Sequence, residues 1–363
     1  MSTNLQEIVF KFKVEGKEIT TLEKYGEGHI HSTHLVILDN KHEYILQKIN
    51  HSIFKNVDGL MSNIVYVTNY LKEEIIKEGG DVNKETLNVV PTTDDKNYYY
   101  DSENDAYYRI YVFVKDTIAH QSIKCEEDFA AAGEAFAKFA LKLNNFDVSK
   151  LVETIPNFHN TKTRFAHFVE TLKADKYNRA KDVQEEIKFV LDREEDCNIV
   201  VDLMAQGLIP AKVTHNDPKL NNILFDSNTN KPICIIDLDT IMPGTILYDF
   251  GDAIRFGANP AGENEKDVSK VVFHMGYYKA FAKGYIKGLE GKITESEKKY
   301  LAFAAKLMTL ECGIRFLDDY LDGNNYFHVQ YEEHNLVRAR TQFKLVKDME
   351  ENFEEMNKII FEE

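Results

Sequence analysis

The stretch Thr214-His215-Asn216-Asp217-Pro218-Lys219-Leu220-Asn221-Asn222 is followed, twenty residues after Asp217, by Ile236-Asp237-Leu238-Asp239, and this pairing restricts the fold more than any other part of the chain. An Asp217 carboxylate can orient and deprotonate a hydroxyl, Lys219 can neutralise a moving phosphoryl group, and Asn222 with Asp237 can hold Mg²⁺ on a nucleotide. Phosphoryl transfer is mostly positioning and electrostatics, so a few such groups at fixed spacing meet its needs. Asp, Asn and Pro also gather in ordinary turns, and each of these residues alone reads that way. Together they adjoin two short strands, Ile223-Leu224-Phe225 and Ile233-Cys234-Ile235-Ile236, joined by a turn from Asp226 to Lys231. That context favours a catalytic loop. His215 reads as a brace for the loop rather than a proton carrier.

Upstream, Tyr25-Gly26-Glu27-Gly28-His29 leads into strands at 30–38 and 44–49 around an Asp39-Asn40-Lys41 turn. A glycine turn lets backbone amides approach phosphates because no Cβ intervenes, which assigns Gly26 and Gly28 to nucleotide binding. By itself the turn is also a common hairpin corner. The order glycine turn, strand, Lys48 strand, helix gives it meaning, with Lys48 on the α and β phosphates. The helix, 58–77, has apolar residues at Leu60, Met61, Ile64, Val67, Leu71, Ile75 and Ile76. A Glu there should pair with Lys48, but Glu73 and Glu74 both sit late, and spacing does not choose between them. A second hairpin at 97–100 and 107–114 precedes Lys115-Asp116-Thr117-Ile118, read as a hinge whose main chain pairs with the nucleotide base.

The remainder is helical in pattern, at 125–143, 181–206, 266–287, 295–321 and 336–361. The expected fold class is α+β, with a small antiparallel-sheet lobe at 1–116 that binds nucleotide and a larger, mostly helical lobe at 117–363 that carries catalysis and acceptor binding.

Composition excludes several function classes. A formal charge of −16 opposes a general nucleic-acid or anionic-membrane surface, since both require clustered Lys and Arg. The four cysteines are far apart with no CxxC pair, so neither a zinc site nor a disulfide framework is indicated. No run approaches bilayer length and the first residues lack a leader pattern; the expected location is the cytoplasm.

Closer landmarks are Leu46-Gln47-Lys48-Ile49-Asn50, Ile155-Pro156-Asn157-Phe158-His159, the run from Ile236 to Phe256, and Thr309 to Phe316. With the catalytic loop, they make the chain resemble the aminoglycoside phosphotransferase-like small-molecule kinases, which share the protein-kinase-like fold, and most closely the N-acetylhexosamine 1-kinases. The resemblance implies ATP as co-substrate, Mg²⁺, and transfer to the anomeric hydroxyl of a small sugar acceptor. It places Asp249 at the start of a helix under the catalytic loop as structural support. Asp249-Phe250-Gly251 spells the protein-kinase magnesium triplet, but it follows no strand and leaves Asp237 without a role, so the metal is assigned to Asp237. Asp239 reaches either a second ion or only a water. For the acceptor, Arg315 and Tyr326 are expected to hydrogen-bond and Phe256 to form a wall; Arg315 and Asp318, at i and i+3, can equally pair with each other. The alternatives are a kinase of another small alcohol, such as an amino alcohol or aminoglycoside, and a nucleotide-binding pseudokinase. A protein kinase ranks last, for lack of an Ala-Pro-Glu element. Epimer preference, the identity of the nucleotide and the oligomeric state are not legible.

Overall fold

Strands β1 (Ile19–Lys24), β2 (Ser32–Leu38) and β3 (Glu43–Ile49) pair antiparallel as a meander. The computed structural model describes residues 4–26 and 30–362, and Gly28 lies outside the described residues. Alternation turns Val36, Leu38, Tyr44 and Leu46 to one face, where they pack with Ile8, Val9 and Phe12 from helix α1 (Leu5–Val9) and its exit. On the other face lies α2 (Val57–Lys77), whose apolar stripe includes Leu60, Met61, Ile64 and Val67. Its N-cap is Asn56, which accepts from the Gly59 amide.

A short α3 (Val82–Glu85) and strands β4 (Val89–Val90), β5 (Tyr99–Asp101) and β6 (Ala106–Val112) follow. The sheet runs β1-β2-β3-β6-β4, with β5 on β6. Register sets Gln47 opposite Arg109 and Lys48 opposite Tyr108. The segment expected to be a hinge contains a short strand, β7 (Thr117–Ala119), which pairs with a later strand from Thr117↔Asp226 to Ala119↔Leu224.

Contacts divide the chain into a first unit of Met1–Ala119, Asn145–Ile155 and Leu224–Met242, and a second of His120–Asn144, Pro156–Ile223 and Pro243–Glu363. The sequence-based division at 116/117 is thus close to the first crossing, but the sheet unit also recruits two later segments. Strand pairing by β7 is one reason. The other is Asn63 of α2, whose amide is bonded to the Val152 and Ile241 backbones.

The second unit is built of helices: α4 (Glu126–Lys142), α5 (Thr161–Ala174), α6 (Gln184–Leu191), α7 (Glu194–Ala205), α8 (Ile246–Gly257), α9 (Met275–Gly288), α10 (Glu295–Leu321), α11 (His334–Glu351) and α12 (Phe353–Phe361). Strand β8 (Lys212–Thr214) feeds the loop at 215–222; β9 (Ile223–Asp226) and β10 (Pro232–Ile235) form the expected hairpin after it, and β11 (Met242–Gly244) leads to α8. The expected helix at 181–206 is two, broken at Asp192–Arg193, and the last expected helix breaks at Asn352. Apolar periodicity passes through such breaks because both pieces bury the same side.

Helix α10 starts on a capping box, Thr294 and Glu297, and runs through the core beside α8. Gly251 makes that packing possible, because a Cβ there would run into the Ala304 carbonyl of α10. The glycine of Asp249-Phe250-Gly251 is therefore a helix-packing residue. Replacing it with Val should cost about 1–3 kcal/mol or more through overpacking, visible as a lowered melting temperature.

Candidate active site

Thr214 ends β8, and Asn216 turns the chain with a φ of 65°. The Asp249 carboxylate, in the first turn of α8, accepts from the backbone N–H of His215 at 2.9 Å and of Asn216 at 2.7 Å. Burial pushes the Asp249 carboxyl above its ordinary pKa, and His215 and the two amides only partly offset it. The His215 ring lies buried, edge-on to Phe136 and Phe139 of α4, and its Nδ1 accepts from the Asp217 amide at 3.3 Å. A carboxylate from below and an imidazole from the side thus fix three consecutive amides of the loop.

Asp217 is in reach of both partners expected from the spacing. Lys219 Nζ is 2.6 Å from Asp217 Oδ1, and Asn222 Nδ2 donates to the Asp217 carbonyl at 2.8 Å and to Oδ2 at 3.2 Å. With its nitrogen so used, Asn222 has its side-chain carbonyl oxygen as its remaining polar atom. Burial alone would lower the Lys219 pKa, but Asp217 outweighs this and raises it, so Lys219 stays an ammonium near neutral pH.

In the sheet unit, Asp237 stands two residues past the end of β10, at the head of a 3-10 turn, and adopts the left-handed conformation, φ 59° and ψ 56°. Asp239 is buried, bound by both terminal nitrogens of Arg109 (Nη2 to Oδ2, 2.7 Å) and by His31 Nε2 at 2.7 Å. Sequence left open a second ion or a water for Asp239; in the fold both of its oxygens are bonded by Arg109 and His31. Burial would raise its pKa, but Arg109 outweighs burial and holds it well below the usual carboxylate range.

Lys48 needs correction in its geometry. It shares a sheet face with Tyr44 and Leu46 and is exposed, whereas Gln47 and Arg109 occupy the α2 face, joined by Arg109 Nε to Gln47 Oε1 at 2.9 Å. A strand's period of two makes neighbouring side chains diverge, so neither Glu73 nor Glu74 meets Lys48; Glu74 pairs with Lys77 at the surface. Gly26 has φ 75° and open space where a Cβ would stand.

Around the acceptor candidates, the second unit carries a polar belt. Phe256 stands with its ring centroid 5.8 Å from Lys219 Nζ, and with Arg255, Asn259 and Tyr277 it lines a cavity of about 260 Å³. Arg255 bonds Asp252 at 2.6 Å and Glu263 at 3.1 Å. Burial would raise the Asp252 carboxyl, but Arg255 holds it below the ordinary range, with His159 and Lys219 adding to the effect. His159 Nδ1 is 3.1 Å from Glu311, and Arg315 lies among Phe158, Tyr326 and Phe327. Arg315 and Tyr326 are thus brought together, while Phe256 belongs to the cavity beside Lys219. Asp318 takes His167 at 2.7 Å, and the carboxylate near Arg315 is Glu311, at 3.9 Å. Asp252, His159, Glu311, Arg109, His31 and Asn63 were given no role from sequence; apart from Asp252, whose partner Arg255 is three residues on, their partners lie far away in the chain, so no spacing signals them.

The description "phosphotransferase enzyme family" fits residues 21–288, well over half of the chain. The chain belongs to the phosphotransferase enzyme family. Similar solved structures include an amicoumacin kinase in complex with AMP-PNP and Ca²⁺ (12% identity, 94% of this chain and 92% of that one, TM-score 0.57). A microcompartment-associated aminopropanol kinase matches at 16% identity over 97% and 98%, TM-score 0.57. Choline kinase from Cryptosporidium parvum Iowa II matches at 13% over 96% and 95%, TM-score 0.56. These likenesses show the kinase-like fold: an antiparallel-sheet unit and a helical unit.

Asn222 and Asp237 each carry a hard oxygen donor of the kind Mg²⁺ takes, and a Mg²⁺ bound largely by phosphates and water takes only one or two such groups from a protein. Among the described residues no cluster of three or more His, Cys, Asp or Glu is placed to hold a metal, and none is needed for that mode. No helix among them is long and apolar enough to cross a membrane.

Proposed function

We propose that this phosphotransferase uses ATP to phosphorylate the anomeric hydroxyl of an N-acetylhexosamine, giving the sugar 1-phosphate. The supporting observation is the pairing of the belt's carboxylates. Asp252, Glu263, Glu311 and Asp318 each already have an arginine or imidazole partner, so the belt offers forked donors and aromatic faces to a neutral polyol. An ammonium acceptor, of the kind named for the choline and aminopropanol kinases, calls for carboxylates without partners of their own.

In this mechanism Asp217 orients the acceptor hydroxyl and accepts its proton as the new O–P bond forms and the bond from the γ-phosphorus to the β–γ bridging oxygen breaks, releasing ADP. Lys219 holds Asp217 in place and offsets charge on the transferring group. Asn222 and Asp237 would hold Mg²⁺, which, when bound, neutralises phosphate charge. Asp249 and His215 keep the loop rigid, and Gly26 lets the chain approach the nucleotide. Arg315 and Tyr326 hydrogen-bond the sugar, and Phe256 covers its apolar side.

A panel of N-acetylglucosamine, N-acetylgalactosamine, choline, ethanolamine and an aminoglycoside, each with ATP and Mg²⁺ and followed by ³¹P NMR, tests this. A 1-phosphate from a hexosamine is expected. Turnover of an amino alcohol or aminoglycoside without any hexosamine product would replace the reading, and nucleotide binding with no turnover of any acceptor would favour a pseudokinase. Arg315→Ala should raise the sugar KM about 10- to 100-fold, the loss of a charge-assisted hydrogen bond, with the KM for ATP unchanged.

A further inference from the structure

We propose that Arg109 and Asn63 are positioning residues for the Asp237 carboxylate, clamping the segment from Asp237 to Ile241 from the sheet side and the helix side. The inference rests on the reading that Asp237 holds Mg²⁺. In protein kinases a lysine on the third strand and a glutamate on the small-lobe helix form the ion pair that must be in place for catalysis. Here that pair is missing from its usual positions. Lys48 faces away from α2, Gln47 fills the inward position, and Glu74 pairs with Lys77 at the surface.

The cation on the inward face comes from β6 instead. Arg109 is 2% exposed. Its guanidinium bonds are spent on Gln47, the Met61 sulfur and the Asp239 carboxylate, so it acts on the protein rather than on phosphates. His31 completes the grip. The Asn50 amide donates to His31 Nδ1 at 3.0 Å, which leaves Nε2 to carry the proton and donate to Asp239 Oδ2. Phe54 stacks on the imidazole, with centroids 5.5 Å apart.

The second jaw is a single amide. Asn63, 1% exposed, donates to the Ile241 carbonyl at 2.9 Å and the Val152 carbonyl at 2.8 Å, and accepts from the Val152 amide at 3.0 Å. Asp237 is therefore bounded by strand β10 before it and by two buried anchors after it, at Asp239 and Ile241. Because α2 is tied to the same segment, its position and the direction of the Asp237 carboxylate are set together. The arrangement is a fixed clamp, without the separable helix contact that lets protein kinases switch.

The test uses Arg109→Lys and Asn63→Ser in the full chain, each first shown to melt cooperatively. Two quantities are read: the Mg²⁺ concentration giving half-maximal activity, and the thermal shift produced by Mg²⁺ with AMP-PNP over AMP-PNP alone. Support around a metal site is worth 10- to 100-fold in affinity, so half-saturation should rise by at least about tenfold. The extra shift from Mg²⁺ should shrink at a fixed metal concentration, while the acceptor KM stays unchanged. Two conservative variants on separate anchors keep the test open if one fails to fold. Cooperative melting of either variant with wild-type Mg²⁺ half-saturation and shift, while Asp237→Ala loses the shift, overturns the clamp alone. If Asp237→Ala keeps the shift, the metal is held elsewhere, and both the clamp and the metal reading fall.

Discussion

Asp217→Asn is expected to lower turnover by about 10²- to 10⁴-fold, the range for loss of a positioned general base, with the fold and nucleotide binding retained. The amide keeps the shape that Asn222 bonds to, but it cannot accept the acceptor's proton. It also removes the partner of Lys219. Since Asp217 is what raises the Lys219 pKa against burial, the variant should lose its ammonium at lower pH than the wild type, and the alkaline limb of any residual pH–rate profile should move down. Steady-state kinetics with a hexosamine, together with AMP-PNP binding by calorimetry, checks both halves. Turnover within tenfold of wild type would refute the role of Asp217, as would loss of nucleotide binding with no change in turnover at saturation.

Asp237→Ala should remove Mg²⁺-dependent activity down to background while the protein still melts cooperatively. Asp237 lies two residues past β10 in the left-handed conformation and is exposed, while its neighbours Leu238 and Asp239 are buried in the sheet unit, so truncating the side chain removes no buried packing. Asp249→Ala should behave differently. It strips two loop amides of their acceptor inside the protein, where unsatisfied groups cost about 1–3 kcal/mol each, and so should lower stability first. Were Asp249→Ala to abolish the Mg²⁺ response with the fold intact, and Asp237→Ala to leave it, the metal assignment would have to be exchanged between them.

The mutual contacts of the loop at 215–222 were legible because its groups act over short sequence distances. Asp217, Lys219 and Asn222 lie within six residues and bond one another, and the β9–β10 hairpin was visible in apolar runs around a turn. Lys48 was misjudged for an equally local reason: a one-residue offset in a strand reverses the face, and Gln47 and Lys48 are adjacent. The fate of Asp239 could not be read at all, since Arg109 is 130 residues away and a carboxylate two places after a metal candidate looks the same whether it meets an ion or a guanidinium.

The acceptor region divides the same way. Residue types suited to a sugar could be chosen, but their grouping could not, because Arg315 and Tyr326 meet across the end of α10 while Phe256 turns toward Lys219. Local chemistry determined from sequence alone the loop that can move a phosphoryl group, the antiparallel hairpins and most of the helices, since backbone periodicity and short-range hydrogen bonding are written in neighbouring residues. Tertiary structure decided which carboxylates are neutralised, which cation faces inward and which later segments join the sheet unit. Those outcomes depend on burial and on partners distant in the chain, and desolvation makes a buried charge answer to whatever the fold places beside it.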